Sequence, residues 1–164
     1  MKFVTFEREG AQSWGVVKDA GIVDLGSRIG GDLHDILKQD RLAEMQALAA
    51  DLDADFSSEG IVYLAPITSP EKIACVGVNY ANRNAEYKDG SAAPKFPSLF
   101  IRTPDSLTGH DQPLVRPPES HQLDYEGEIV LIIGKGGRRI AEEDAYSHIA
   151  GLTIMNEGTL RDWV

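Results

Sequence analysis

The sequence holds one cysteine, Cys75, and four histidines, His34, His110, His121 and His148, with no metal-ligating interval among them. A single thiol excludes an intramolecular disulfide, and the scattered imidazoles disfavour a zinc centre of the Cys/His type. Cys75 lies in the apolar run Ile73-Ala74-Cys75-Val76 and is expected to be a buried small hydrophobe, which suits a reducing cytoplasm. Basic residues are also few: 16 Lys and Arg against 26 Asp and Glu give a formal net charge of -10. Such a surface discourages binding to nucleic acid or anionic lipid while leaving cations as partners. No apolar stretch is long enough to span a bilayer. Met1-Lys2-Phe3-Val4-Thr5-Phe6-Glu7 meets charge too early for a signal peptide, so a soluble cytoplasmic protein is expected.

Proline is absent before Pro66, and what stands in that stretch reads as regular structure. Segments 2–6, 13–18 and 21–25 are rich in Val, Phe and Ile, with Glu9-Gly10 and Ala20-Gly21 between them, the pattern of an antiparallel meander. Helices are expected over 31–38 and 40–52. The second is capped by Asp40 and carries Leu42, Met45, Leu48, Ala49 and Leu52 on one buried stripe. With 42% hydrophobic residues in 164, the chain can bury a core. Pro66 and Pro70 mark the boundary between a small N-terminal α+β module, 1–68, and a second domain, 69–164. In the second domain, strand 72–77 leads into a short helix within 79–87 capped by Asn79. A Pro- and Gly-rich loop then runs from Gly90 to Pro118, broken by a strand at 98–102.

The run Ile129-Val130-Leu131-Ile132-Ile133 does not alternate, which predicts a strand buried on both faces. A turn at Gly134-Lys135-Gly136-Gly137 precedes a helix over 141–149 whose first-turn acids, Glu142, Glu143 and Asp144, suit the helix dipole. A strand from Gly151 through Met155 then delivers Asn156 and Glu157. Side chains two apart on a strand share a face, so Glu126 and Glu128 stand side by side, with Gly127 allowing close backbone approach. Two buried anions at that distance take up a proton or bind a cation. Glu-x-Glu on a strand is more often a solvated face than a ligand pair. Its place at the mouth of the most hydrophobic run in the chain raises the metal reading. Glu157 ends another predicted strand and would make a third carboxylate, an oxygen-only set suited to magnesium, manganese or calcium.

Gly134-Lys135-Gly136-Gly137 also matches the Gly-x-x-Gly loop of a KH RNA-binding module. That loop needs helices on both sides. Here the preceding run is β-branched and the following segment begins with acids that repel a phosphate backbone, so RNA binding is the lesser alternative.

Three segments together resemble the fumarylacetoacetate hydrolase family: Gly77-Val78-Asn79-Tyr80 with Glu86 downstream, Asp124-Tyr125-Glu126-Gly127-Glu128 before the β-branched run, and Gly151 through Glu157 followed by Arg161-Asp162. The resemblance implies an α+β, mainly β fold: a small N-terminal module, then part of a mixed β-roll holding one divalent cation, magnesium first, on Glu126, Glu128 and Glu157. It also implies an enzyme of enolisable oxo-acids, acting by C-C hydrolysis, decarboxylation, hydration or isomerisation, and a homodimer in the complete protein.

Three departures shape the expectation. The family pattern has Asp where Glu157 stands. Arg83 stands where hydrolytic members carry the histidine of Asn-Tyr-x-x-His-x-x-Glu, and a guanidinium stays protonated near neutral pH, so it can hold a substrate carboxylate but not act as a base. Glu86 is then the remaining acid/base, with Tyr80 and Arg102 as substrate-binding residues. Isomerase, decarboxylase or hydratase chemistry is favoured over hydrolysis. Finally, the chain stops at Val164, before the Gly-Lys-rich segment with which family members continue, so a fragment with incomplete machinery is expected. A noncatalytic protein keeping only the metal site is the alternative.

Overall fold

The computed structural model describes residues 1–19, 21–80, 82–86, 90, 92 and 94–164, with the side chain of Glu86 outside that description. The described residues form two compact units, Met1–Ile67 with Thr108–Val164, and Thr68–Leu107. We retain the division into modules 1–68 and 69–164 as a proposal.

In the first unit, β1 (Lys2–Arg8), β2 (Ala11–Lys18) and β3 (Gly21–Asp24) form the expected meander. Glu9 and Gly10 have φ of 54° and 79°, and two consecutive positive φ values are what a two-residue hairpin turn requires. Short strands β4 (Phe56–Ser57) and β5 (Val62–Tyr63) complete an antiparallel five-stranded sheet in the order β4-β3-β2-β1-β5. Helices α1 (Gly26–Ile29), α2 (Leu33–Lys38) and α3 (Leu42–Ala50) follow β3. Trp14, Val16, Val23 and Leu25 pack with Leu33, Ile36, Met45 and Ala49 into one buried cluster. Burying side chains of this size contributes about 1.5–3 kcal/mol each.

The helical region differs from expectation in detail. Residues 31–38 are helical only from Leu33, because Asp32 caps α2: its carboxylate accepts from the Asp35 amide at 2.8 Å, and Asp35 accepts from the Asp32 amide at 3.3 Å. Asp40 is not a cap, since it adopts φ 53° in the turn and leaves the N-cap position of α3 to Arg41, which pairs with Glu44 at 2.8 Å. Leu48 is 37% exposed: α3 presents Met45 and Ala49 inward, with Leu42 and Leu52 only partly covered.

Also in this unit, β8 (Leu123–Asp124) pairs with β11 (Thr159–Leu160), and β9 (Gly127–Ile133) pairs with β10 (Ile149–Asn156). The run expected to be buried on both faces alternates instead. Ile129, Leu131 and Ile133 with Leu152 and Ile154 line an outer face, from 52% exposed at Leu131 to 85% at Ile154. No layer covers that face among the described residues, so a continuous apolar run marks the strand without telling how many of its faces are covered. The segment expected as a helix over 141–149 is a 3₁₀ helix, Glu142–His148, and Gly134 and Lys135 donate their amides to the His148 carbonyl. Because β9 precedes the Gly134–Gly137 turn, that turn lacks the leading helix of a KH loop.

The second unit holds β6 (Ile73–Gly77) and β7 (Ser98–Arg102), paired antiparallel, and one helical turn, α4 (Arg83–Glu86). The helix expected within 79–87 is confined to that turn among the described residues. Cys75 is half-buried rather than buried, in a ladder of only two strands where it lies opposite Phe100. Every ladder of the described residues is antiparallel, so the parallel pairings of a mixed roll are not among them.

Candidate metal and substrate site

The backbones of the acidic residues singled out in the sequence come together at one end of the β9–β10 hairpin. Register does this: Glu128 lies opposite Met155, Gly127 opposite Asn156, and the Glu157 amide donates to the Glu126 carbonyl at 2.8 Å. The Asn156 side chain fixes the same corner by accepting from the Glu126 amide at 3.1 Å. Glu126, which precedes β9 instead of lying in it, and Glu128 are both half-buried, and Glu157 is 6% exposed. A Cβ on Gly127 would meet open space, so close backbone approach is not what this glycine provides.

A buried carboxylate must be hydrogen-bonded or matched by positive charge. Arg161 brings a positive charge to this corner. Its Nη1 lies 2.8 Å from Glu126 Oε1 and its Nε donates to Asp124 Oδ2 at 3.1 Å. The β8–β11 pairing positions it, with Thr159 opposite Asp124 and the Arg161 amide donating to the Gln122 carbonyl at 3.0 Å. Beside it, Ser120 is 1% exposed. Its hydroxyl donates to Asp162 Oδ1 at 2.6 Å and accepts from the Gln122 amide at 3.0 Å, while Arg116 donates to its carbonyl.

The donor types fit a hard divalent cation: three glutamates whose backbones register brings to one corner, one of them buried, with no Cys or His among these three. The side chains as they stand do not converge, since no group of three ligating side chains closes on a point among the described residues. Arg161 occupies an oxygen that a cation would need.

The other residues singled out in the sequence belong to the second unit, described here by itself. Tyr80 is 52% exposed, and its carbonyl accepts from the Arg83 amide at 3.1 Å, joining the two in one turn. Arg83 opens α4 with its guanidinium 3.4 Å from Asn84 Oδ1, and Arg102 ends β7 opposite Ile73. The Glu86 side chain lies outside the described residues. Val78, between β6 and Tyr80, has φ 55°, an outlier for a β-branched residue. Sequence reasoning missed that strain, and it missed the bridging role of Arg161; the visible signals were the glycine beside Val78 and the charge complementarity of Arg161 with Asp124.

Residues 72–164 match the model of the C-terminal domain of fumarylacetoacetate hydrolase. The chain belongs to that family. A mitochondrial oxaloacetate tautomerase of Xenopus laevis, fahd2, is 38% identical over 122 residues, covering 73% of this chain and 38% of that protein. A fumarylacetoacetate hydrolase from Exiguobacterium antarcticum superposes with a TM-score of 0.78 at 34% identity, over 99% of this chain and 57% of that one. The maleylpyruvate hydrolase of Sphingobium sp. SYK-6, whose structure holds manganese (II) and pyruvate, shares the fold at a TM-score of 0.76 and 21% identity, over 98% of this chain and 60% of that one. The chain thus spans well under half the length of the tautomerase and little more than half of the two hydrolase structures. The α+β, mainly β fold read from the sequence is the fold of these proteins. No helix of the described residues is long and apolar enough to cross a membrane.

Proposed function

We propose that the chain carries the metal-holding part of an enzyme that forms or uses the enol of a small oxo-acid, with tautomerase, decarboxylase or hydratase chemistry favoured over C-C hydrolysis. The observation that carries this reading is the hairpin register that sets Glu126, Glu128 and Glu157 at one corner in a member of this family. The tautomerase activity named for the Xenopus laevis relative and the manganese and pyruvate of the Sphingobium structure support it.

Glu126, Glu128 and Glu157 would hold the cation, magnesium or manganese before calcium. The cation supplies Lewis acidity toward the oxygen of the oxo group. Arg83 and Arg102 hold the substrate carboxylate through paired N–H donors. Tyr80 contributes a phenol to the same ligand, and Glu86 moves the proton at the carbon next to the oxo group. Arg83 explains the preference against hydrolysis, because nothing at its position can activate water. We further propose a homodimer as the working form, cytoplasmic residence, and no nucleic-acid or membrane partner. The mitochondrial label of the Xenopus laevis relative makes that organelle the competing compartment.

A noncatalytic metal-binding role is the second reading, favoured by Arg83 standing where a titratable base is needed. The two separate in one experiment: proton-deuterium exchange at the carbon beside the oxo group of oxaloacetate and pyruvate, followed by NMR with manganese or magnesium. Exchange above background that is lost in Glu126→Gln/Glu128→Gln supports the enzyme. Cation-dependent thermal stabilisation without exchange supports the second reading, and absence of both with either cation sinks the metal site.

A further inference from the structure

We propose that Arg161 is a built-in counter-ion that stands in for the divalent cation, so that loading the site exchanges a guanidinium for a metal ion at Glu126. The inference rests on the metal reading given above and adds to it a residue outside the ligand set.

Arg161 engages Glu126 and Asp124 with two different nitrogens. Nη1 takes Glu126, a proposed ligand, at 2.8 Å, and Nε takes Asp124, which is not one, at 3.1 Å. The two contacts have separate fates when a cation arrives. Glu126 turns to the ion, while Asp124 keeps Arg161 tethered beside the corner. The tether is part of the fold, since Asp124 lies in β8 opposite Thr159 of β11, two residues before Arg161. Arg161 and Glu126 are both largely covered, with side chains 27% and 23% exposed. A contact so placed is stronger than a solvent-exposed ion pair.

The arrangement solves a problem that the acid cluster creates. Asp124 and Glu126 both lie against one guanidinium and repel each other without it. A guanidinium on Glu126 relieves part of that repulsion and keeps the corner folded and soluble. It also sets a threshold: a monovalent ion offers Glu126 no more charge than Arg161 already does, whereas a divalent ion held by three carboxylates does. Arginine suits the role better than lysine because its forked donors reach two acceptors at once.

The test is manganese binding to the whole chain, read by calorimetry and by loss of the free-ion spin-resonance signal, with Arg161→Gln and Arg161→Lys beside the unchanged protein and circular dichroism to confirm folding. Removing the competing bond should tighten manganese binding roughly tenfold in Arg161→Gln, the scale of one hydrogen bond to a charged group. Arg161→Lys keeps the charge but not the fork, and should still bind at least about threefold tighter than the unchanged chain, a part of the same bond. If only Arg161→Gln gains, the effect is a general field and the exchange is wrong; if neither gains, Arg161 does not compete. Should Arg161→Gln fail to fold, Arg161→Lys decides. Binding that is lost in Glu126→Gln/Glu128→Gln yet indifferent to Arg161 overturns this inference alone. No manganese binding by any form overturns the metal reading with it.

Discussion

The amide of Glu157 donates to the carbonyl of Glu126 at 2.8 Å, so the third acid of the corner is tied to the first through the backbone. The corner therefore survives changes in the carboxylates themselves, and substitutions there report on ligand chemistry more than on folding. Glu157→Gln should leave the thermal melt within about 1 kcal/mol of the unchanged chain, the loss of a modest hydrogen bond. It should weaken manganese binding at least tenfold, about 1.4 kcal/mol. Calorimetric titration checks both; unchanged affinity would remove Glu157 from the ligand set.

Ser120 offers a prediction in which structure dominates. Its buried hydroxyl serves Asp162 and the Gln122 amide at once. Ser120→Ala leaves that amide without its acceptor and should cost about 1–3 kcal/mol. Urea unfolding followed by circular dichroism measures it.

A pH dependence follows from Asp55. The Arg28 guanidinium bonded to it, and secondarily the Asp24 amide, hold its carboxyl below the ordinary value of 3.8 against the opposing effect of burial. Its folded value is depressed, so its contribution is complete above the unfolded value near 4 and is lost as pH falls through the folded value. With side chains 35% and 30% exposed, the pair is worth about 1 kcal/mol or less. Asp55→Asn should lower stability by that amount at pH 7 and by progressively less below about pH 4, where the unchanged chain has lost the same charge. Thermal melts from pH 7 to pH 2.5 decide it: equal losses at both ends would contradict the assignment.

The outer face of β9–β10 leads to a fourth expectation. Contiguous exposed apolar side chains bind hydrophobic dyes and promote association. Leu131→Thr with Ile154→Thr should reduce both dye fluorescence and the apparent mass in light scattering, while threonine's β-propensity keeps the hairpin formed. Unchanged dye binding would place the sticky surface elsewhere.

These relationships show how much could be read without coordinates. The meander and the strands β9 and β10 were legible because each rests on a local pattern, alternation between turn pairs or a continuous apolar run, whereas the pairing of β9 with β10 was not. Burial of Ile129, Leu131 and Ile133 was not, because coverage depends on which layers exist above a strand. Asp40 was misassigned because a residue suited to capping is equally suited to a left-handed turn. Arg161 escaped because β8 and β11 have two residues each, too few to show a period, and only their pairing brings Arg161 to Glu126.

The hairpin carries one irregularity, a slip in the β10 ladder between Ile149, opposite Ile133, and Gly151, opposite Ile132. Beyond that extra residue the ladder keeps an unbroken register from Gly151 to Asn156, down to Glu128 and Gly127. The bulge works like an expansion joint. The turn and the 3₁₀ helix can lengthen, shorten or change partners while the far end keeps its alignment. Variation among family members is expected to collect on the turn side of Ala150, leaving the acidic corner as the stationary part of the hairpin.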